Sequence, residues 1–136
     1  MVYFRNDTIT IKYDEENQLV RTQWHGFAGS EEYREILTMY LQLVREKPVT
    51  RWIGDNTKAK AIRPADQEWT TKVWAPMFSQ EGNVKKLAVI VSKDIFNKMA
   101  VENMVMKAEG VIGFDTHYFN DEEEALAWVM EQVLEA

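Results

Sequence analysis

Cysteine is absent from the 136-residue sequence, which excludes disulfides, thiolate metal sites and cysteine nucleophiles. Histidine is almost absent as well. His25 and His117 are the only two, and neither has a histidine partner at the spacing of metal ligands. No Ser-His-Asp pattern supplies a nucleophile either. We therefore expect a protein that is not an enzyme, has no metal site and needs no cofactor.

Long apolar runs and an excess of basic charge are also missing. No stretch approaches the roughly 20 apolar residues of a membrane-spanning helix. Residues 1–7 lack the basic segment leading into an apolar one that marks a secretory signal. The net charge of −6 disfavours a general nucleic-acid binder. These absences predict a cytoplasmic protein without a membrane span or a nucleic-acid partner.

The composition supports one folded domain over residues 1–136. Hydrophobic residues make up 46% of the chain and aromatic residues 12%, which is enough for a core. Neither a repeat nor a long linker divides the sequence.

The run Leu87-Ala88-Val89-Ile90-Val91 is short, apolar and partly β-branched. It predicts a strand buried on both faces, although periodicity alone leaves a buried helix segment open.

Strands and helices alternate along the rest of the chain. The predicted strands are 8–13, 18–25, 49–54, 87–91 and 112–119, and the first two form a hairpin at a partly solvated edge of the sheet. The predicted helices begin at Ser30, Asp66, Asp94 and Asn120. Pro76 should kink or end the second helix. The last helix should bury Leu126, Val129, Met130 and Val133.

This order, β-β-α-β-α-β-α-β-α, predicts an α/β fold. Strands that alternate with helices pair in parallel through right-handed crossovers, and the first hairpin adds an antiparallel part. The sequence therefore predicts an open, mixed, mostly parallel sheet of five strands.

Several local features resemble a known family over nearly the whole chain. They are Trp24-x-Gly26, Glu32-Tyr33-Arg34, Trp52-Ile53-Gly54-Asp55, Asp66-x-x-Trp69, Lys86-Leu87-Ala88-Val89-Ile90 and Phe119-x-Asp121-x-x-x-Ala125-x-x-Trp128. With the element order, they resemble the SpoIIAA-like branch of the STAS superfamily, also described as STAS/SEC14-like. The resemblance implies a sequential β-α superhelix and a domain that binds or signals rather than catalyses.

One feature of that family is missing here. In anti-sigma-factor antagonists, a serine or threonine at the start of the helix after the third strand accepts a phosphate. Pro64-Ala65-Asp66-Gln67 stands at this position, without the Asp-Ser-Ser/Thr-Gly pattern. We therefore assign no phosphorylation site.

The carboxyl ends of the parallel strands are where ligands gather in open α/β sheets. Asp55-Asn56-Thr57, Ser92-Lys93-Asp94 and Phe119-Asn120-Asp121 follow the last three predicted strands. Together with helix N-termini at the same edge, they could hold an anion. The simpler interpretation is that these residues are caps and turn formers.

A basic loop and an aromatic helix complete the candidate site. The loop could meet a phosphate or an acidic partner, or it could simply be solvated. The candidate ligand- or partner-binding residues are Asp55, Asn56, Thr57, Lys58, Lys60, Arg63, Asp66, Trp69, Trp74, Ser92 and Lys93.

The preferred interpretation is a binding or regulatory domain that acts through an unknown protein partner or a small ligand. Loop 55–66 and helix 66–80 would provide the contacts. The family resemblance also suggests a carrier of small hydrophobic ligands, with a pocket lined by Trp69, Trp74, Met77 and Phe78. An enzyme acting on small molecules would need a cleft carboxylate with a raised pKa, which a sequence cannot show.

A receiver-like phosphoacceptor domain is a further alternative. Asp55, Ser92 and the acidic pair Asp14-Glu15 would take part, but no lysine follows the fifth strand and the acidic pair lies in a hairpin.

The third predicted helix has methionine on several sides, at Met99, Met104 and Met106. They belong either to the core or to a face for a homodimer or another partner.

Overall fold

The computed structural model describes residues 1–131. Its strands are β1 (Val2–Arg5), β2 (Ile9–Asp14), β3 (Leu19–Gly26), β4 (Arg51–Ala59), β5 (Lys86–Ile90) and β6 (Asp115–Phe119). Its helices are α1 (Ser30–Glu46), α2 (Pro64–Trp69), α3 (Ala75–Glu81), α4 (Ile95–Lys107) and α5 (Glu122–Val129). A π-helical turn, Thr70–Trp74, joins α2 to α3.

The strands form one sheet in sequential order from β1 to β6. The pairs β1–β2 and β2–β3 are antiparallel, whereas β3–β4, β4–β5 and β5–β6 are parallel. The predicted mixed, mostly parallel α/β fold is therefore confirmed, with six strands instead of five. The extra strand, β1, pairs outside β2, so the predicted hairpin does not lie at the edge. Four residues are too few for β1 to show an alternating pattern.

Strand β4 is longer than its sequence indicates. It was predicted to end at Gly54, but its pairing with β3 continues to Gly26 opposite Ala59. The pairs Gln23–Asp55 and His25–Lys58 leave one extra residue on β4, which is a β-bulge. The prediction that residues 55–58 follow the strand is therefore wrong, because hydrogen bonds to β3 hold this segment in the sheet.

Helices cover the two faces of the sheet unequally. One face packs against α1 and α3 in a cluster that includes Ile11, Val20 and Trp52. Among the described residues, α5 is the helix that packs against the other face, through Ala125 and Val129. Helix α4 packs mainly against α2 and the π-helical turn. None of the helices within residues 1–131 is long and apolar enough to cross a membrane.

Strand β5 is buried on both faces, as its composition predicts. Ala88 and Ile90 join the cluster under α5, while Val89 faces the opposite side of the sheet. The apolar residues that predict this buried strand are neighbours in the sequence, so five residues are enough to predict it.

The helix starts follow the prediction only in part. Asp94 caps α4 by accepting from the backbone N–H groups of Phe96 and Asn97. Helix α5 is capped by Asp121, one residue later than predicted. Helix α2 begins at Pro64, whose fixed φ suits a first helical position, so Asp66 lies inside the first turn and does not cap it.

Ser30 is also not a cap. Gly29 occupies the N-cap position of α1 without a side-chain bond, and the Ser30 hydroxyl donates instead to Asp66 Oδ2 at 2.8 Å. A bond between two helices therefore replaces the local one that the sequence suggests.

Pro76 does not end the second helix. The helical backbone passes it and continues to Glu81. Just before it, the chain widens to the π-helical turn, in which Ala75 N–H donates to the Thr70 carbonyl. A proline has no N–H to donate and its ring crowds the carbonyl four residues earlier, so a wider turn accommodates it.

The C-terminal part differs from prediction in its boundaries. β6 begins at Asp115 rather than at residue 112, because Val111 and Ile112 are held in a turn by the Ala108 carbonyl. Val129 is buried as predicted, whereas Leu126 is only partly buried and Met130 is exposed. Val133 lies outside the described residues.

Candidate functional site

Two adjoining cavities lie between the sheet and the helices α1, α3 and α4. Their volumes are about 140 and about 160 Å³. Both are lined by Trp24, Tyr40, Asn56, Trp74 and Val101, so they meet along a shared wall. The first is further lined by Tyr33, Leu37, Lys60, Ile62, Asn97 and Met104. The second is further lined by Trp52, Phe78, Val89, Val105 and Phe114.

Aromatic rings packed against one another form the wall. The rings of Trp74 and Phe78 are stacked with centroids 4.6 Å apart, and Tyr40 meets Trp52 edge-on at 4.9 Å. The indole N–H of Trp74 donates to the Leu37 carbonyl at 2.7 Å. These contacts fix the rings before any ligand arrives, which lowers the entropic cost of binding.

Oδ1 of Asn97 is a buried polar atom at the first cavity that has no hydrogen-bond partner among the described residues. The Tyr40 hydroxyl is also buried, but the side chains of Thr22 and Trp24 lie close enough to act on its pKa as hydrogen-bond partners. The other amide atom of Asn97, Nδ2, donates to the Lys60 carbonyl at 2.8 Å. Buried polar groups are nearly always paired, so an unpaired oxygen beside a cavity indicates a place for a polar group of a ligand.

The two tyrosines of this region stay neutral far above neutral pH. Burial raises the pKa of Tyr33 to about 12, and the negative charge of Asp66 adds to the effect. The Tyr33 hydroxyl lies 2.8 Å from Thr70 Oγ. Burial likewise raises the pKa of Tyr40 above its ordinary value. At physiological pH the cavities therefore present hydroxyl groups and no tyrosinate.

This burial gives a pH-dependent prediction for Tyr33. An unfolded tyrosine ionises near pH ~10, whereas folded Tyr33 keeps its proton to about 12. Because the unfolded chain loses protons first, the free energy of unfolding should fall as pH rises through this window. Urea titrations should give a shallower pH dependence for Tyr33→Phe than for the unaltered protein. Equal slopes would contradict this.

Asp66 connects α1 to α2 from a buried position. Its side chain is 1% exposed and accepts from Arg34 Nε at 3.0 Å as well as from the Ser30 hydroxyl. The Arg34 guanidinium lies over the ring of Trp69, 5.2 Å from its centre. The Thr70 hydroxyl donates to the Asp66 carbonyl at 2.7 Å. Asp66 therefore has a structural role beneath the helix that carries Trp74.

We expect Asp66→Ala to lower the free energy of unfolding by about 1–3 kcal/mol, because two donors lose a buried acceptor. Partial exposure of Arg34 keeps the loss moderate, since water can solvate its charge. Glu68→Ala is the matched control, because its exposed pair with Lys72 adds little. Urea denaturation of both variants measures the difference. Equal losses would contradict the structural role.

The structure separates the residues that the sequence groups into one site. Asn56, Lys60 and Trp74 line the cavities. Asp55 instead accepts from the backbone N–H and the hydroxyl of Thr57, at 2.9 and 2.6 Å. The remaining members lie elsewhere: Lys58, Arg63 and Lys93 are exposed, Trp69 packs with Arg34, and Asp66 and Ser92 are buried.

Ser92 has a structural role as well. Its hydroxyl donates to the Ala59 carbonyl at 2.8 Å and accepts from the Asp94 N–H at 2.9 Å. These two bonds tie the end of β4 to the start of α4.

Met77 was predicted to line a pocket for a hydrophobic ligand. In the structure its side chain is exposed instead.

Sequence reasoning missed Trp24, Tyr40 and Asn97 as site residues. A signal existed for Asn97, because it lies one helical turn before Val101 and so falls on the same helical face as Val101 and Met104. A polar residue that continues an apolar row is a candidate for a buried polar contact. Trp24 and Tyr40 read as ordinary strand and helix residues, and nothing local shows that a cavity lies between them.

The residues of the receiver-like alternative do not come together. Asp14 pairs with Leu19 at the start of β3, and Leu19 pairs with Arg51 at the start of β4. Asp55 lies further along β4, toward the opposite edge of the sheet. Within residues 1–131, no group of three or more histidine, aspartate or glutamate residues could hold a metal ion.

The methionines of α4 divide between cavity and solvent. Met104 lines the first cavity, whereas Met99 and Met106 are exposed. Ile95 and Phe96 are exposed beside Met99, so the start of α4 presents apolar side chains to solvent.

Comparison with known proteins agrees with this fold. The family model described as SpoIIAA-like matches residues 19–130, which is most of the chain. The chain belongs to the SpoIIAA-like family. This SpoIIAA-like match begins with β3, so β1 and β2 both lie before it. The family is part of the STAS group, whose domains commonly bind or regulate. No curated protein and no solved structure matched the chain in these comparisons.

Proposed function

We propose that this SpoIIAA-like domain is a non-enzymatic binding domain that holds a small, mainly apolar ligand between its sheet and α4. The observation that carries the proposal is the pair of adjoining cavities walled by Trp24, Tyr40, Trp74 and Val101. Ligand binding there would fix α4 relative to the sheet and so serve a regulatory role.

The size of the cavities sets the size of the ligand. An apolar cavity of about 150 Å³ holds a molecule the size of benzene. The two cavities measure about 140 and about 160 Å³ and share a wall. The ligand that fits is therefore a molecule of one or two rings, and a long lipid chain is too large.

The chemistry of the lining favours binding. Apolar and aromatic side chains form most of both walls, and among the described lining residues only Lys60 has a formal charge. Acid–base catalysis would need a titratable group facing the ligand, with a pKa near the working pH. A lining with a single charged residue supports binding of an uncharged, planar molecule.

A titration with indole tests this proposal. Indole is a two-ring molecule, and its binding can be followed by NMR through the side-chain N–H signals of tryptophan. We expect the signals of Trp24 and Trp74 to shift. Trp128, which packs between α5 and β6 on the other face, is the internal control and should not shift. Shifts that are absent, or equal at all three, would overturn the proposal.

A second candidate is association with another protein molecule, through the exposed start of α4. Ile95, Phe96 and Met99 are 62%, 69% and 61% exposed. A second copy of the chain is the simplest partner to test. Sedimentation velocity over a range of concentrations should show a dimer that Phe96→Lys abolishes. A monomer at all concentrations would rule out the homodimer.

A further inference from the structure

We infer that the ligand of these cavities carries a hydrogen-bond donor, an O–H or N–H on a planar ring frame, which Oδ1 of Asn97 accepts. This inference rests on the proposed function and narrows it from apolar molecules in general to one chemical class. Phenol-like and indole-like molecules belong to that class, whereas ring molecules with acceptors alone do not.

The fixed position of Asn97 is the first step. Its side chain is 3% exposed and lies in the first turn of α4. Because Nδ2 donates to the Lys60 carbonyl at 2.8 Å, the amide cannot turn over without breaking that bond. Oδ1 is thus held as the free end of the amide, with no partner among the described residues. An amide oxygen only accepts hydrogen bonds, so its partner must donate.

The neighbouring hydroxyl strengthens the assignment. Tyr40 is 7% exposed and lines both cavities, and its hydroxyl lies beside the side chains of Thr22 and Trp24. A hydroxyl can both donate and accept, so it can serve a further polar group of the ligand. Oδ1 of Asn97 is the acceptor that lacks a partner among the described residues, so a ligand that donates to it removes the cost of burying an unpaired atom.

The protein should discriminate between ligands with and without a hydrogen-bond donor, because a buried acceptor is costly only while it stays unpaired. A ligand without a donor leaves Oδ1 of Asn97 buried and unpaired, and the full desolvation cost of that atom remains. Sites built to hydrogen-bond a ligand reject analogues that lack the group far more strongly than apolar pockets reject a changed methylene. The protein should therefore distinguish molecules of the same shape by their donor alone.

Indole and benzofuran provide that comparison. They share a two-ring frame, and benzofuran has a ring oxygen where indole has its N–H. We expect the unaltered protein to bind indole about tenfold more tightly, which corresponds to one hydrogen bond. Asn97→Leu should bring the two affinities together. Asn103→Leu, the same substitution at a position of α4 that borders neither cavity, should keep the preference for indole.

The outcomes separate the two proposals. If neither molecule binds, the proposed function is overturned and this inference falls with it. If both bind equally to the unaltered protein, the donor requirement is overturned while the ligand site remains. A preference for indole that survives in Asn97→Leu would overturn the role of Asn97. The affinity ratio is measured within each variant, so a general loss of stability affects both ligands and does not imitate the effect.

Discussion

Replacing Trp52 with alanine is expected to lower the free energy of unfolding by about 3–5 kcal/mol. Trp52 is only 4% exposed, and its ring contacts Tyr40 and Phe78 at centroid distances of 4.9 and 5.6 Å. The side chain also borders the second cavity, so its removal enlarges a space that already exists. Because a whole domain is stable by only about 5–15 kcal/mol, this loss is a large share of the total.

Urea denaturation followed by circular dichroism measures this loss. Trp128→Ala is the matched control, since it removes the same side chain from a half-buried position on the other face of the sheet. We expect a clearly smaller loss for the control, with the same dependence on urea concentration in both variants. Equal losses would show that the aromatic cluster beside the cavities is not the main core.

Replacing Val101 with phenylalanine should abolish indole binding or weaken it by more than about tenfold, because the larger side chain would occupy the ligand's space. Val101 lies on α4 and borders both cavities. Larger side chains usually destabilise a packed core by about 1–3 kcal/mol, but here the cavity can receive the added atoms. We therefore expect binding to be lost while the free energy of unfolding changes little.

Val111→Phe is the control for this prediction. Val111 is exposed and lies in the turn after α4, away from both cavities. The same substitution there should leave indole affinity unchanged in the NMR titration. If Val101→Phe binds indole normally, the ligand occupies another place. If Val101→Phe unfolds, α4 packs more tightly than the cavities indicate.

The fold could be predicted well from the sequence because its main signals are local. The apolar run at residues 87–91 marks a buried strand within a few neighbouring residues, and the alternation of predicted strands and helices indicates the α/β fold. Strand β1 was not predicted, because four residues are too few to show a pattern. The extension of β4 was not predicted either, because it depends on pairing with β3. The bulge opposite Gln23 and His25 leaves no local pattern in the sequence.

The candidate site could be predicted only in part, for a physical reason. A cavity is the space left between elements that are distant in sequence, such as Trp24 on β3, Tyr40 on α1 and Val101 on α4. No periodicity records such a space. The sequence predicted a ligand site at the polar residues that follow the strands. In the structure, the side chains of Asp55 and Ser92 instead form hydrogen bonds that hold the neighbouring backbone. Trp74 lines both cavities, and its aromatic row on the second predicted helix is a signal that the sequence does contain.

The most direct test of this account is a crystal structure with bound 5-bromoindole, in which anomalous scattering locates the bromine atom. The account predicts one bromine peak between the Trp74 ring and Val101, with the ligand N–H directed to Oδ1 of Asn97. A peak only at the exposed residues Phe96 and Met99, or no ordered bromine at a ligand concentration that saturates the NMR shifts, would contradict it.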